Sequence, residues 1–529
     1  MAYTTNWPAL VEEKLRDRDS RIPAEWRLPE EITKNISPTS DLNAFDLLRT
    51  HELLTADQVG LTENHTVESL LHMIATGRIS SLEVTTAFCK RAAIAQQLTN
   101  CLTEIMFAEA LERAKYLDEY LSREGKPLGP FHGLPISVKD CFMVKGQAAT
   151  LGYVSYLTKP VSDHNSILID ILLAAGAVLY VKTNVPQTML TMESVNHVFG
   201  RTMNPHKLSL TAGGSSGGEG ALVSFRGSIL GVGTDIGGSI RVPPACCGAY
   251  GFKPTADRIP FGKQQFSARK GSPGIVPAAG PIASSAADLS YFFKVVIQSR
   301  PWTRDSSSLA VPWRHVPRKL LRIGLMLGDK DYPLAPPVTR ALESAAAKLR
   351  AAGHHIKLCP SLPSVRKAAV IAGGFFSMDN EMTPLSHLKN VEDPIASLAH
   401  TSTRNLVQSR KYNIDDVWDS NTALSEYREE WLCQWQATGM DVLLCPGAHA
   451  TAVPHDTFGM PVYTVIWNLL DFPAAVVPFL KADKTVDSVG GYDAAPVDGA
   501  PCSLQIVGWR FQDEEVLMAT EVIDQALRA

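Results

Sequence analysis

The chain has 529 residues, 45% of them hydrophobic and 20% charged, which is ordinary globular usage and excludes a disordered chain or a fibrous repeat. Lys and Arg number 50 against 54 Asp and Glu, a formal net charge of −4, so there is no basic footprint for nucleic acid. The 9 cysteines are scattered without a C-x-x-C pair and read as reduced core thiols.

Residues 1–60 mix charge with proline, carry one helical stretch at 10–17, and read as a helical extension wrapped on a main body at 61–529. No basic stretch followed by an apolar segment opens the chain, and the most apolar run, 167–181, is short for a membrane span and contains Asp170. The expectation is a cytoplasmic protein without membrane association.

Val67, Leu70, Leu71 and Ile74 recur at helical spacing and Gly77 ends that helix; Ser80 and Glu83 form a capping box for the next, and a third is predicted over 108–121. Residues 131–140 then change pattern, with a short apolar run after Pro135 that reads as a buried strand ending in charge at Lys139 and Asp140. A helix over 166–175 closed by Gly176 and a buried strand over 177–181 follow. Further on, Leu321 to Leu327 alternate, Val338, Leu342, Ala345 and Leu349 keep helical spacing, and 356–358 resume a strand. These units predict an α/β fold with helices covering a sheet. Residues 255–320, rich in Pro, Gly, Ser and basic residues, read as long surface connections, and no internal repeat is evident.

The densest chemical signal lies between. Gly213-Gly214-Ser215-Ser216-Gly217-Gly218 precedes an apolar stretch, which places Ser215 at a helix N-terminus. A strand over 229–233 leads to Thr234-Asp235-Ile236-Gly237-Gly238-Ser239, a second serine after a second pair of glycines. A serine nucleophile needs a base and donors for the oxyanion formed on attack at a carbonyl. The backbone N–H groups of Ile236, Gly237, Gly238 and Ser239 can converge on one point, because two glycines permit the turn. The base is not evident from pattern: none of the 14 histidines stands where a Ser-His-Asp arrangement is persuasive.

The run from Gly213 to Thr255, GGSSGGEGALVSFRGSILGVGTDIGGSIRVPPACCGAYGFKPT, strongly resembles the amidase signature. GLPISVKD, AGAVLYVKTNVPQ, NHVFGRTMNP, NLLDFPAAVVP and CSLQIVGWRFQDEE match on both sides, so the resemblance spans roughly 61–529 and favours one catalytic domain there. Within that family the chain looks most like fungal acetamidase-type amidases and, more distantly, fatty acid amide hydrolases. The resemblance implies a large mixed, twisted β-sheet with helices on both faces. It implies a Ser-Ser-Lys triad of Ser239 as nucleophile, Ser215 as relay and Lys139 as base, with 236–239 as the oxyanion hole and a cis peptide at Gly214-Ser215. Carboxamide hydrolysis through an acyl-enzyme follows, with no cofactor and no metal. The partner is a small-molecule amide, and a homodimer is left open. Met189, Leu190, Met192, Gly213, Gly214 and Thr234 are the candidate substrate-binding residues.

Other readings stand beside these. Alone, Lys139 would be a solvated lysine, Ser215 a helix cap and Ser239 a turn serine. Gly214-Ser215-Ser216-Gly217-Gly218 also satisfies G-x-S-x-G, with Ser216 as the nucleophile of an α/β-hydrolase elbow, but 206–211 make a poor strand to precede it. No phosphate loop or metal-ligand spacing is present. Asp235 and Arg241 read as a structural ion pair that fixes the loop, and Cys141 and Cys247 as core fillers. Ala149 to Tyr153 and the extra proline in Pro243-Pro244 depart from the family's usual pattern and leave the fine shape of the site open. The run 368–376 could be core, pocket wall or a lipid-facing patch. Functionally, acyl transfer to another acceptor and a partner-dependent amidotransferase-like subunit are the alternatives.

Overall fold

A computed structural model describes residues 7–389, 391–400 and 410–529. Its centre is one sheet of 11 strands. In chain order these are β1 (Leu102–Ile105), β2 (Pro135–Lys139), β3 (Val178–Thr183), β4 (Leu230–Asp235), β5 (Tyr250–Lys253) and β6 (Ala278–Ala283). They continue as β7 (Arg322–Leu325), β8 (His355–Leu358), β9 (Val442–Pro446), β10 (Ala474–Lys481) and β11 (Pro501–Val507). Across the sheet the order is β1-β3-β2-β4-β6-β5-β10-β11-β9-β7-β8. The strands β3, β2 and β4 run parallel, β7 lies parallel to both β8 and β9, and the pairs between these two groups are antiparallel. The sheet is therefore mixed, as the family resemblance implies.

Burial explains why the central strands read as apolar runs without alternation. Every residue of β2, β3 and β4 is buried, so both faces of these strands are covered. Lys139 closes β2 and Asp235 closes β4, and both are carried into the interior by strand geometry. A second buried cluster lies to one side, where Trp431 and Trp467 meet edge to face at 5.2 Å and Phe375, Ile466 and Phe472 pack around them.

The expected helices at 67–74, 108–121 and 166–175 appear as Val67–Ala75, Phe107–Glu124 and Ile167–Ala174, and Ser80 and Glu83 form the expected capping box. The β7–helix–β8 unit is also found, with Pro336–Ala351 as its helix.

Three expectations are corrected. The segment 255–320 is not all surface connection, since it contains β6 and the helix Ala286–Gln298. Gly280 and Pro281 disguise the strand, and its flat, small side chains carry no hydrophobic period. The first 60 residues hold more than one helix: Trp7–Ser20, Glu30–Thr33, Ala44–Thr50 and Ala56–Glu63 all form or begin there, the last two capped by Asn43 and Thr55. The Trp7–Ser20 helix is tied to the body by an ion pair between Lys14 and buried Glu104 at 2.7 Å. Finally, Lys207–Thr211 is a strand, paired with Met203–Asn204 in a separate two-stranded sheet.

Candidate active site

The glycine and serine segments meet beneath the ends of β2 and β4. Ser215 and Ser216 immediately precede the helix Gly217–Ser224, and the peptide Gly214-Ser215 is cis. Ser216 takes the N-cap position without a side-chain cap bond, so the helix-cap reading of Ser215 is not what the structure contains. Lys139 is fully buried, and its Nζ donates to Ser215 Oγ at 2.7 Å and to Thr234 Oγ1 at 3.0 Å. Burial lowers the Lys139 ammonium to about 8, with Cys141, Asp235 and Glu219 opposing the shift. Lys253 is also lowered to about 8 by burial, but its Nζ donates to the Pro254 carbonyl at 2.9 Å. Geometry, not proton affinity alone, distinguishes Lys139.

The loop 236–239 is shaped from below by Asp235. Its Oδ1 accepts from the Gly238 N–H at 2.7 Å and its Oδ2 from the Ile240 N–H at 3.0 Å. Burial alone would raise this carboxyl, but Arg241 and the Ile240 N–H hold it at about 2. Arg241 grips Asp235 with Nε and Nη2, both at 3.0 Å, and spends its remaining donors on Thr464 O, Gln505 Oε1 and Asn468 Oδ1. The expected ion pair forms and is fully satisfied, which is what a buried pair requires. Thr464 Oγ1 donates to the Gly237 carbonyl at 2.7 Å and turns that peptide's N–H the other way. Gly238 takes φ of 138°, which a side chain would strain.

Gly238 is thus removed from the four expected oxyanion donors, because its N–H is engaged by Asp235. Ile236, Gly237 and Ser239 border a cavity of about 310 Å³. Met189, Leu190 and Met192 line it. Gly213, Gly214 and Thr234 do not: the Gly213 carbonyl accepts from Ser194, Gly214 packs on Thr191, and Thr234 is a partner of Lys139. Ser216 is buried away from the cavity, its hydroxyl 3.4 Å from the Thr234 carbonyl. Cys141 and Cys247 are buried and unbridged.

Of the rest of the lining, the sequence offers only the run 368–376, as one of three readings. Phe266, Ile275 and Val276 also line the cavity, with Ala372, Phe375 and Phe376 of the helix Val365–Phe376. The run 368–376 is therefore pocket wall and core. Arg269 and Asp379, 3.7 Å apart, are the charged residues on the lining. Thr464, Asn468 and Gln505 were also missed as supports, although the last two lie in fragments that carry the family resemblance. The extra proline is accommodated because Pro243 and Pro244 fall in the first turn of Val242–Cys247, where no helical N–H is lost. Among the described residues there is no group of three potential metal ligands and no helix long and apolar enough to cross a membrane.

The amidase family profile matches residues 83–517. An amidase of Gibberella moniliformis is 51% identical, covering 99% of both chains, and an acetamidase of Emericella nidulans is 35% identical over 99% of this chain and 98% of its own. Among solved structures, a fatty acid amide hydrolase superposes with a TM-score of 0.94 at 32% identity, covering 100% of this chain and 96% of that one. The chain belongs to the amidase family, with the amidase-signature fold. It is an amide hydrolase that acts on carbon–nitrogen bonds of small-molecule carboxamides.

Proposed function

We propose that hydrolysis runs through a Ser-Ser-Lys triad in which Ser239 is the nucleophile, Ser215 the proton relay and Lys139 the initiating base. The observation that carries this reading is the buried 2.7 Å contact of Lys139 Nζ with Ser215 Oγ, beside a loop that brings Ser239 to the cavity. Neutral Lys139 takes the Ser215 proton and Ser215 takes that of Ser239, whose Oγ bonds to the carbonyl carbon. The N–H groups of Ile236, Gly237 and Ser239 receive the oxyanion, while that of Gly238 holds the loop in shape. The proton returns along the relay to the nitrogen as the C–N bond breaks, and ammonia or an amine leaves. Water then attacks the acyl-enzyme, with its proton taken by the same relay, and releases the carboxylic acid.

The lining supports a neutral amide bearing an apolar substituent, with Met189, Leu190 and Met192 on one wall and the Val365–Phe376 helix on the other. The division into an extension at 1–60 and a catalytic domain at 61–529 belongs to the same reading. So does a cytoplasmic location, which the 9 unpaired cysteines support.

A fluorophosphonate probe tests the nucleophile. The label should map to Ser239, vanish in Ser239→Ala, and persist in Ser216→Ala. A label on Ser216, or one that survives Ser239→Ala, overturns the assignment in favour of the α/β-hydrolase elbow.

A further inference from the structure

A carboxyl group that the triad does not use lies beneath it. Glu219 sits four residues after Ser215, in the first turn of Gly217–Ser224, and is completely buried. Its Oε2 is 2.6 Å from Ser137 Oγ, which is two residues before Lys139 and so on the same face of β2. Its Oε1 accepts from Thr183 Oγ1 at 2.9 Å, and Thr183 is the register partner of Lys139 in β3. The third neighbour is β4, where Gly231 pairs with Ser137 and a Cβ on Gly231 would collide with Glu219 Oε2. One carboxyl group thus joins the helix that follows Ser215 to three strands, one of which ends at Lys139.

We propose that Glu219 is a positioning residue for the Lys139–Ser215 pair: its carboxylate fixes the Ser215 helix on β2, β3 and β4, and its negative charge opposes loss of the Lys139 proton. The proposal rests on the triad reading above and adds to it what sets the pair's geometry and charge. Burial raises the Glu219 carboxyl to about 7, against the hydroxyl bonds of Ser137 and Thr183. The hydroxyls of Ser137 and Thr183 that donate to it favour its ionised form, and Glu219 acts on Lys139 in the direction that keeps the ammonium charged. The other titratable groups that interact with this carboxylate are Cys101 and Tyr180, both raised by burial and neutral where Glu219 and Lys139 titrate, while Asp235 and Cys141 act on Lys139 from β4 and from the end of β2.

The test is the pH dependence of kcat/KM on a neutral amide for wild type, Glu219→Gln, Glu219→Asp and Thr183→Val, with melting temperatures alongside. Glu219→Gln removes the charge and nearly keeps the shape, so the midpoint of the rising limb should move about one pH unit lower. Glu219→Asp keeps the charge and loses the reach, so the midpoint should stay while the plateau falls. Thr183→Val removes one hydroxyl and should lower the plateau about fivefold without lowering the midpoint. A Glu219→Gln profile superimposable on wild type overturns the proposal. Should that variant not fold, wild-type kcat/KM in Thr183→Val together with a wild-type plateau in Glu219→Asp overturns it instead. Failure of the triad reading is distinguishable, because it shows as a probe label away from Ser239 in the wild-type protein, whatever the Glu219 variants do.

Discussion

Asp235 holds Gly238: the Gly238 N–H donates to Asp235 Oδ1 at 2.7 Å while Oδ2 takes the Ile240 N–H at 3.0 Å, so one carboxylate braces the loop on both sides of Ser239. Arg241 keeps that carboxylate ionised in a fully buried site, and its own charge is satisfied by Thr464, Asn468 and Gln505. The position of Ser239, the proposed nucleophile, thus depends on residues spread over β4, the helix Val462–Leu469 and β11.

Asp235→Ala leaves Arg241 buried without its counter-charge, which costs about 3–5 kcal/mol of stability. We expect a large loss in a denaturant titration and loss of probe labelling at Ser239. The folded carboxyl, at about 2, lies below its ordinary 3.8, so its contribution is complete above 3.8 and is lost as pH falls through 2. Wild type should therefore show an acid-labile increment of stability that Asp235→Asn lacks, and equal pH dependence of the two would contradict this.

Thr464→Val keeps shape and removes the hydroxyl donated to the Gly237 carbonyl at 2.7 Å. A freed buried carbonyl costs about 1–3 kcal/mol. We expect a lower melting temperature and a kcat reduced several-fold with KM little changed, because the Gly237–Gly238 peptide that this hydroxyl holds shapes the loop carrying Ser239, the proposed nucleophile. An unaltered kcat would show that the hold on the Gly237–Gly238 peptide does not set the geometry of the reacting loop.

The cavity beyond Ser239 makes chain length readable. Each buried methylene contributes about 0.8 kcal/mol, roughly fourfold in an equilibrium or rate ratio. Across linear amides lengthened from acetamide, kcat/KM should climb by about that factor per carbon until the cavity is filled. Ala372→Phe places a ring on the wall and should flatten the climb while sparing the shortest substrates. A wild type that is fastest on acetamide would assign the cavity to something other than the substrate.

Much of this was legible in the sequence because the family signature and the strand pattern coincide. GLPISVKD, GGSSGG and GTDIGGSIR place Lys139, Ser215 and Ser239 at element ends, and the βαβ unit around Val338 follows from periodicity. Of the remaining lining, Phe375 falls in the run 368–376 that the sequence leaves between core, pocket wall and lipid-facing patch, whereas Phe266, Ile275 and Val276 lie in a segment that reads as surface connection and reach the cavity only when the sheet is assembled. β6 escaped because Gly280 and Pro281 imitate a loop, although a side chain at Gly280 would collide with the Phe252 carbonyl of β5. Gly238 was taken for an oxyanion donor because a count of backbone N–H groups cannot show which of them a neighbouring carboxylate already holds.

The most direct measurement of the central claim is the pH profile of kcat/KM for wild type, Lys139→Ala and Lys139→Arg. Burial sets the lysine at about 8, so wild-type activity should rise with pH through that value and stay high on the alkaline side. Lys139→Ala should fall by a factor of about 10²–10⁴, the range of a positioned acid-base group, and what remains should depend on hydroxide. Lys139→Arg should not rescue, because guanidinium stays protonated and cannot accept the Ser215 proton. An Arg variant with near-wild-type activity and the wild-type profile would contradict the account, placing charge or structure at position 139 and the base elsewhere.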